Sequence, residues 1–190
     1  MLSESRWKSI ILPLLEQPPA WAFQGKLTYR TPVDWVLLGV HGEGSGLQPN
    51  RVYVSTVLMP LFVPADHLTL DHSTRVPHGS ATFGLDDEAA FASAMSLAIS
   101  LLPSQTEALD LIAASTSEES AYAAFLLGDH KQAERMLVEP FHPNDDRPFV
   151  HHSRMRREEV LHVLRSAGPD SARRLLWSWR DHTAASLGLT

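Results

Sequence analysis

Apolar and polar positions repeat with one period in the first half of the chain and another in the second. At the start, Trp7, Ile10, Ile11, Leu14 and Leu15 recur at the spacing of one helix face. Pro13 lacks the amide that would continue the ladder, so it kinks or restarts that helix, and Gln17-Pro18-Pro19 closes it. From Lys26 the period falls to two. Leu27–Arg30 reads as a short strand broken at Thr31-Pro32. Val33–His41 reads as a longer one, apolar on both faces as a central strand covered on both sides requires. The glycine-rich stretch 42–50 reads as a loose hairpin loop. Arg51–Met59 is the next strand, Pro60 and Pro64 bracket a bend or edge, and His67–Val76 is the last. Four strands with short connections predict an antiparallel meander.

After Gly79 the period is 3.6. Asp86-Asp87-Glu88 places negative charge at the start of a helix whose buried stripe is Phe91, Met95, Ala98 and Leu102, stopped by Pro103. Ser104…Glu107 and Thr116…Glu119 both fit the capping box and mark helices at about 105–115 and 117–127. Gly128-Asp129 turns the chain into a helix over 130–138. A proline-rich polar loop precedes a helix over 149–166, packing through Val160, Val163, Leu164 and Ala167. After Gly168-Pro169-Asp170 the last helix packs through Ala172, Leu175, Leu176, Trp179 and Thr183. The predicted fold class is α+β: an N-terminal helix, an antiparallel sheet of about four strands, then a C-terminal bundle of about six helices. The corresponding subdomains are 1–80 and 81–190. Gly128–Ala133 followed by Leu137 resembles the second-helix entry of a tetratricopeptide repeat, echoed at Gly168–Leu176. A tight helical hairpin asks for the same glycine and alanine without any repeat.

Composition narrows the chemistry. At 190 residues the chain can bury roughly two thirds of its unfolded surface and needs no staple. It contains no cysteine, which excludes disulfides, thiolate metal sites and cysteine nucleophiles. The net charge of −6 argues against a general nucleic-acid binder. The apolar run 10–15 is interrupted by Glu16 and is too short to span a membrane. The expectation is a soluble, cytoplasmic protein. Thirteen of its 16 basic residues are arginine, which suggests a bacterial origin.

Few residues form a catalytic constellation. Among ten histidines, His142 and His152 with Asp145 and Asp146 make the best metal-ligand cluster, of imidazole and carboxylate type. They would serve a metal-assisted hydrolase. No HExxH or facial-triad spacing accompanies them, and the aspartates also suit a loop and helix start. Gly42–Gly46 lacks the lysine and following helix of a phosphate loop. Ser45, near His41 and Glu43, lacks a nucleophile elbow. No cofactor is expected.

Charge distribution says more. Residues 147–190 hold eight arginines against four acids, whereas residues 1–146 hold eight basic against 18 acidic residues. Arg154, Arg156 and Arg157 cluster on one predicted helix. On the last helix Arg173 and Arg180 flank Trp177 at i−4 and i+3, opposite the apolar stripe. Tryptophan between guanidinium groups is the composition of protein-interface hot spots. It is also what results when arginine stems simply cover a half-exposed indole.

The segment Tyr53–Pro64, continuing to His67-Leu68, resembles a family of bacterial proteins classed as domains of unknown function. The resemblance implies a small antiparallel sheet with flanking helices and a bacterial source, and carries no functional residue across. The functional expectation is therefore a non-enzymatic protein–protein interaction module (accessory, adaptor or immunity-type). Its binding face holds Arg173, Trp177, Arg180, Arg154 and Arg157, and its partner is a protein.

Overall fold

The structure, a computed structural model, describes residues 2–15, 20–46, 48, 50–76, 82–84, 86–139 and 147–189. It is α+β, with an N-terminal helix, an antiparallel sheet and then a succession of helices. The chain divides into two compact units: Met1–Met59 with His67–Pro103 and Leu187–Thr190, and Pro60–Asp66 with Ser104–Ser186. No described helix is long and apolar enough to cross a membrane.

In the first unit, helix α1 (Glu4–Ile11) is capped by Ser3, whose hydroxyl accepts from Arg6 N. Pro13 sits inside a following 3₁₀ turn, Leu12–Leu14: the proline ends one helix and shapes the next turn, as its missing amide requires. The strands are β1 (Ala20–Gln24), β2 (Leu27–Thr31), β3 (Val36–Gly44), β4 (Arg51–Pro60), β5 (Arg75–Val76) and β6 (Phe83–Gly84). Their order is β1-β2-β3-β4-β5, with β6 also on β4. Helix α2 (Glu88–Ser100), capped by Asp87, supplies Phe91, Met95 and Ala98 of the predicted stripe, and Leu102 is buried just past its end. These pack with Trp7, Ile11, Val40, Val52, Val54 and Val76. The Trp7 indole N–H donates to Thr28 Oγ1 at 2.9 Å, so the buried ring keeps no idle donor. Arg30 donates to Pro103 O at 2.8 Å and Leu102 O at 3.3 Å, satisfying carbonyls just beyond α2.

Three sequence expectations are corrected here. β1 was not anticipated, because alanines separate its two aromatics. The glycine-rich stretch begins as strand: a Cβ on Gly42 would stand 2.5 Å from the Trp7 ring, so glycine there makes room for an indole, not for flexibility. The strand expected over His67–Val76 shrinks to Arg75–Val76. Before it, one backbone bond from Thr56 N–H to Thr74 O remains, but Thr74 N–H donates to the Thr56 hydroxyl and Thr69 N–H to Met59 Sδ in place of carbonyls, and the chain turns at Asp71-His72.

The second unit comprises α3 (Gln105–Ala113), α4 (Glu119–Leu126), α5 (His130–Val138), α6 (Pro148–Ala167) and α7 (Pro169–Ser186). The Ser104–Glu107 capping box is present in full. Gly128 (φ +92°) and Gly168 (φ +81°) make the turns into α5 and α7, positions an L side chain occupies only with strain. α4 is the central helix, buried from Ser120 to Leu126, and Tyr122 meets Phe62 and Trp179 edge-on at 6.4 and 5.9 Å.

Two expectations fail in this unit. Glu118, not Thr116, is the N-cap of α4, and no side chain caps it. Instead the hydroxyls of Ser115, Ser117 and Ser120 bond to one another and to the Ser115 carbonyl. The buried stripe of α6 is Val150, Ser153, Arg157 and Val160; Val163 and Leu164 are half-buried and Ala167 is exposed.

Candidate functional site

α7 is a long amphipathic helix whose inner face carries the buried Ala172, Leu176, Thr183 and Ala184. Thr183 ties the Pro60–Asp66 segment, donating to Val63 O and accepting from Ala65 N. Trp179 packs on Tyr122, which anchors α7 to α4. Trp177 stands two residues away, on a different side of the helix, and is 43% exposed. The Arg180 guanidinium lies 5.1 Å from its ring centroid and is held there by Asp181 Oδ1 at 2.7 Å. One cation over one indole is the part of the expected triplet that assembles. Arg173 reaches instead toward the end of α4, donating to Leu126 O at 3.4 Å. Leu127, the next residue after that carbonyl, is another exposed apolar side chain.

The arginines of α6 do different work. Arg157, expected on the binding face, is only 7% exposed and donates to the carbonyls of Met136 and Glu139. Those groups end α5 and have no intrahelical donor, so a buried guanidinium is a C-terminal cap. Arg156 forks onto Glu118, Nε to Oε1 at 2.7 Å and Nη2 to Oε2 at 2.6 Å. Arg154 is half-buried and lines a hollow of about 290 Å³ with Leu137, Val138, Arg157, Leu161 and Arg165. A second hollow, of about 230 Å³, is lined by Ser115, Ser117, Glu118, Met136 and Arg157.

This interior cluster is poorly suited to proton transfer. Burial, reinforced by Glu118, pushes the Tyr122 hydroxyl well above its ordinary value, so it stays protonated. Burial lowers Arg157. For Arg156 burial also works downward, but the hydrogen bond and charge of Glu118 outweigh it and the guanidinium is raised. Both oxygens of Glu118 are occupied by Arg156. The arrangement fixes α4, α5 and α6 to one another. Nothing in the local sequence announced it, since Glu118 and Arg156 are 38 positions apart; the Arg156-Arg157 doublet was visible, its inward turn was not.

His142, Asp145 and Asp146 of the expected metal cluster lie outside the described residues. His152 is exposed on α6, its ring 6.3 Å from that of His151. Among the described residues no group of three or more His, Asp or Glu side chains is placed to hold a metal. Ser45 belongs to a turn, its N–H bonded to Arg51 O and its hydroxyl accepting from Gln48 N. His41 has a buried Nδ1 with no hydrogen-bond partner among the described residues; burial lowers its pKa, against an upward pull from Glu43. Comparison with family models, curated proteins and solved structures finds no match.

Proposed function

We propose that this chain is a protein–protein interaction module, a cytoplasmic bacterial binder of accessory, adaptor or immunity type. In this reading it is non-enzymatic, and it docks an acidic protein surface on the outer side of α7. The carrying observation is Trp177, a large apolar ring left 43% exposed on a rigid helix with a guanidinium over its face. Such a ring offers contact area at small entropic cost, and arginine and tryptophan dominate measured hot spots. Arg173 and Leu127 extend the surface toward the end of α4. The +4 balance of residues 147–190 favours an acidic partner. Arg154 belongs to the rim of this reading, and Arg157 supports it from inside. The resemblance of residues 53–64 to bacterial domains of unknown function is part of the reading and lends it no site residue.

The test is affinity capture from cell extract with the wild-type chain. The captured protein is then purified and titrated into Trp177→Ala, Arg180→Ala and the Trp177→Ala/Arg173→Ala double variant. Trp177→Ala is expected to weaken binding by about 30-fold, roughly 2 kcal/mol, with the melting temperature unchanged. Undiminished binding, or collapse of the fold, ends the proposal.

A further inference from the structure

The sheet of the first unit ends at β1, and its register reveals which backbone groups there lack partners. Gly42 N–H donates to Lys26 O at 3.1 Å, and Thr28 lies opposite Val40. Successive residues of an antiparallel strand bond alternately to the neighbour on one side and the other. The backbone groups of Thr28 and Arg30 therefore point toward β3, while Leu27, Tyr29 and Thr31 bond toward β1, where they face Gln24, Ala22 and Ala20. The N–H and C=O of Trp21 and Phe23 point away from the sheet, and among the described residues no hydrogen bond reaches them. Ala20-Trp21-Ala22-Phe23-Gln24 contains no charge and no proline, and its register with β2 runs without a bulge. These are the devices that ordinarily keep an edge strand from pairing.

We propose that β1 pairs with β1 of a second copy of this chain, antiparallel about a two-fold axis at Ala22, so that the sheet continues across a dimer. With that centre, Trp21 lies opposite the partner's Phe23 and Phe23 opposite the partner's Trp21. Both are doubly bonded pairs, so four N–H···O bonds form and every outward group of the two residues is satisfied. Ala22 meets the partner's Ala22 at the closest backbone approach, ~4.5 Å between Cα atoms, where a small side chain fits. Two Trp–Phe cross-strand pairs form on one face. The nearest cations, Lys8 over Phe23 and Arg30 over Trp21, already lie on aromatic rings. An uncharged strand meets no like charge across its own two-fold. The occupant is a second copy because the strand is its own complement, the isologous arrangement of a closed dimer.

Cysteine cross-linking tests this directly, since the chain has no cysteine of its own. Under mild oxidation Ala22→Cys is expected to form a disulfide-linked dimer, because the two Cα atoms fall within disulfide range. Ala20→Cys, four positions from its symmetry mate's match at Gln24, is expected to stay unlinked. In sedimentation, the wild-type mass is expected to rise with concentration from 21.1 kDa toward twice that value. Ala22→Glu, which sets two carboxylates face to face, is expected to raise the dissociation constant on the order of tenfold at low salt. In that variant the Trp21 and Phe23 amides exchange fast while the backbone amide of the substituted residue 22, bonded to β2, stays protected, which separates loss of the dimer from loss of the strand. A 21.1 kDa species persisting to about 1 mM, or equal cross-linking of Ala20→Cys and Ala22→Cys, overturns the proposal.

Discussion

The two units bury different chemistry. The sheet unit encloses hydrocarbon: Trp7, Ile11, Phe91 and Met95 are fully buried, and its buried polar side chains are hydroxyls such as Thr28. The helical unit places an ion pair, a tyrosine hydroxyl, a serine cluster and a buried guanidinium among its helices. The difference follows from how each architecture satisfies its backbone. A sheet bonds its amides laterally, so most of its side chains need only fill space, and Arg30, reaching the carbonyls just beyond α2, is the exception that its one helix end requires. Each helix leaves terminal carbonyls without partners, and where those ends are covered something charged or polar must reach them. Arg157 does so for α5. The cost is that charged groups must be kept paired inside.

The largest effect is expected in the core of the sheet unit. Trp7→Ala removes an indole against which Gly42 and Phe91 are fitted, and about 3–5 kcal/mol of stability is expected to go with it, read by urea unfolding. Retention of wild-type stability would mean the sheet core does not depend on that ring. Next comes the ion pair. Glu118→Ala strands Arg156, whose side chain is 23% exposed, and about 2–3 kcal/mol is expected to be lost. Glu118→Met combined with Arg156→Leu is expected to recover most of it. A double variant as weak as the single one contradicts the reading that an unpaired charge is the cause.

pH separates the units with opposite signs. His41 is depressed by burial below its ordinary 6.5, so the unfolded chain takes up the proton first. Its contribution is whole above 6.5 and is lost as pH falls through the lower folded value. Tyr122 is raised above its ordinary 10.0, so the unfolded chain ionises first. Its contribution is whole below 10 and is lost as pH rises toward the folded value. Amide exchange is expected to accelerate first around β3 in acid and around α4 in alkali. The reverse order, or both regions opening at one limit, breaks the contrast. His41→Gln is expected to flatten the acid limb alone.

How much of this was legible in the sequence follows from range. Most local signals held: the Ser104–Glu107 box, the Phe91–Leu102 stripe and the glycines at 128 and 168 each rest on contacts within a few residues, while the equally local Thr116…Glu119 box gave way to the serine cluster. Distant contacts did not show. Gly42 read as loop because nothing nearby says that Trp7 will lie over it. The phase of α6 was misjudged because arginine was assumed to face water, and Arg157 faces carbonyls. Of the expected binding face, only the spacing of Trp177 and Arg180 was visible as a pair, since three residues on one helix is a local relation.

The central claim is that the C-terminal arginines and tryptophans divide into those that hold the helices together and those left for recognition. Equilibrium urea unfolding of Arg157→Ala beside Trp177→Ala tests it most directly. Arg157→Ala is expected to lose about 2 kcal/mol or more, because it strands buried carbonyls, while Trp177→Ala stays within about 0.5 kcal/mol of wild type, as a surface change should. Equal losses, or a larger loss from Trp177→Ala, would place the indole in the packing and leave α7 without a recognition face.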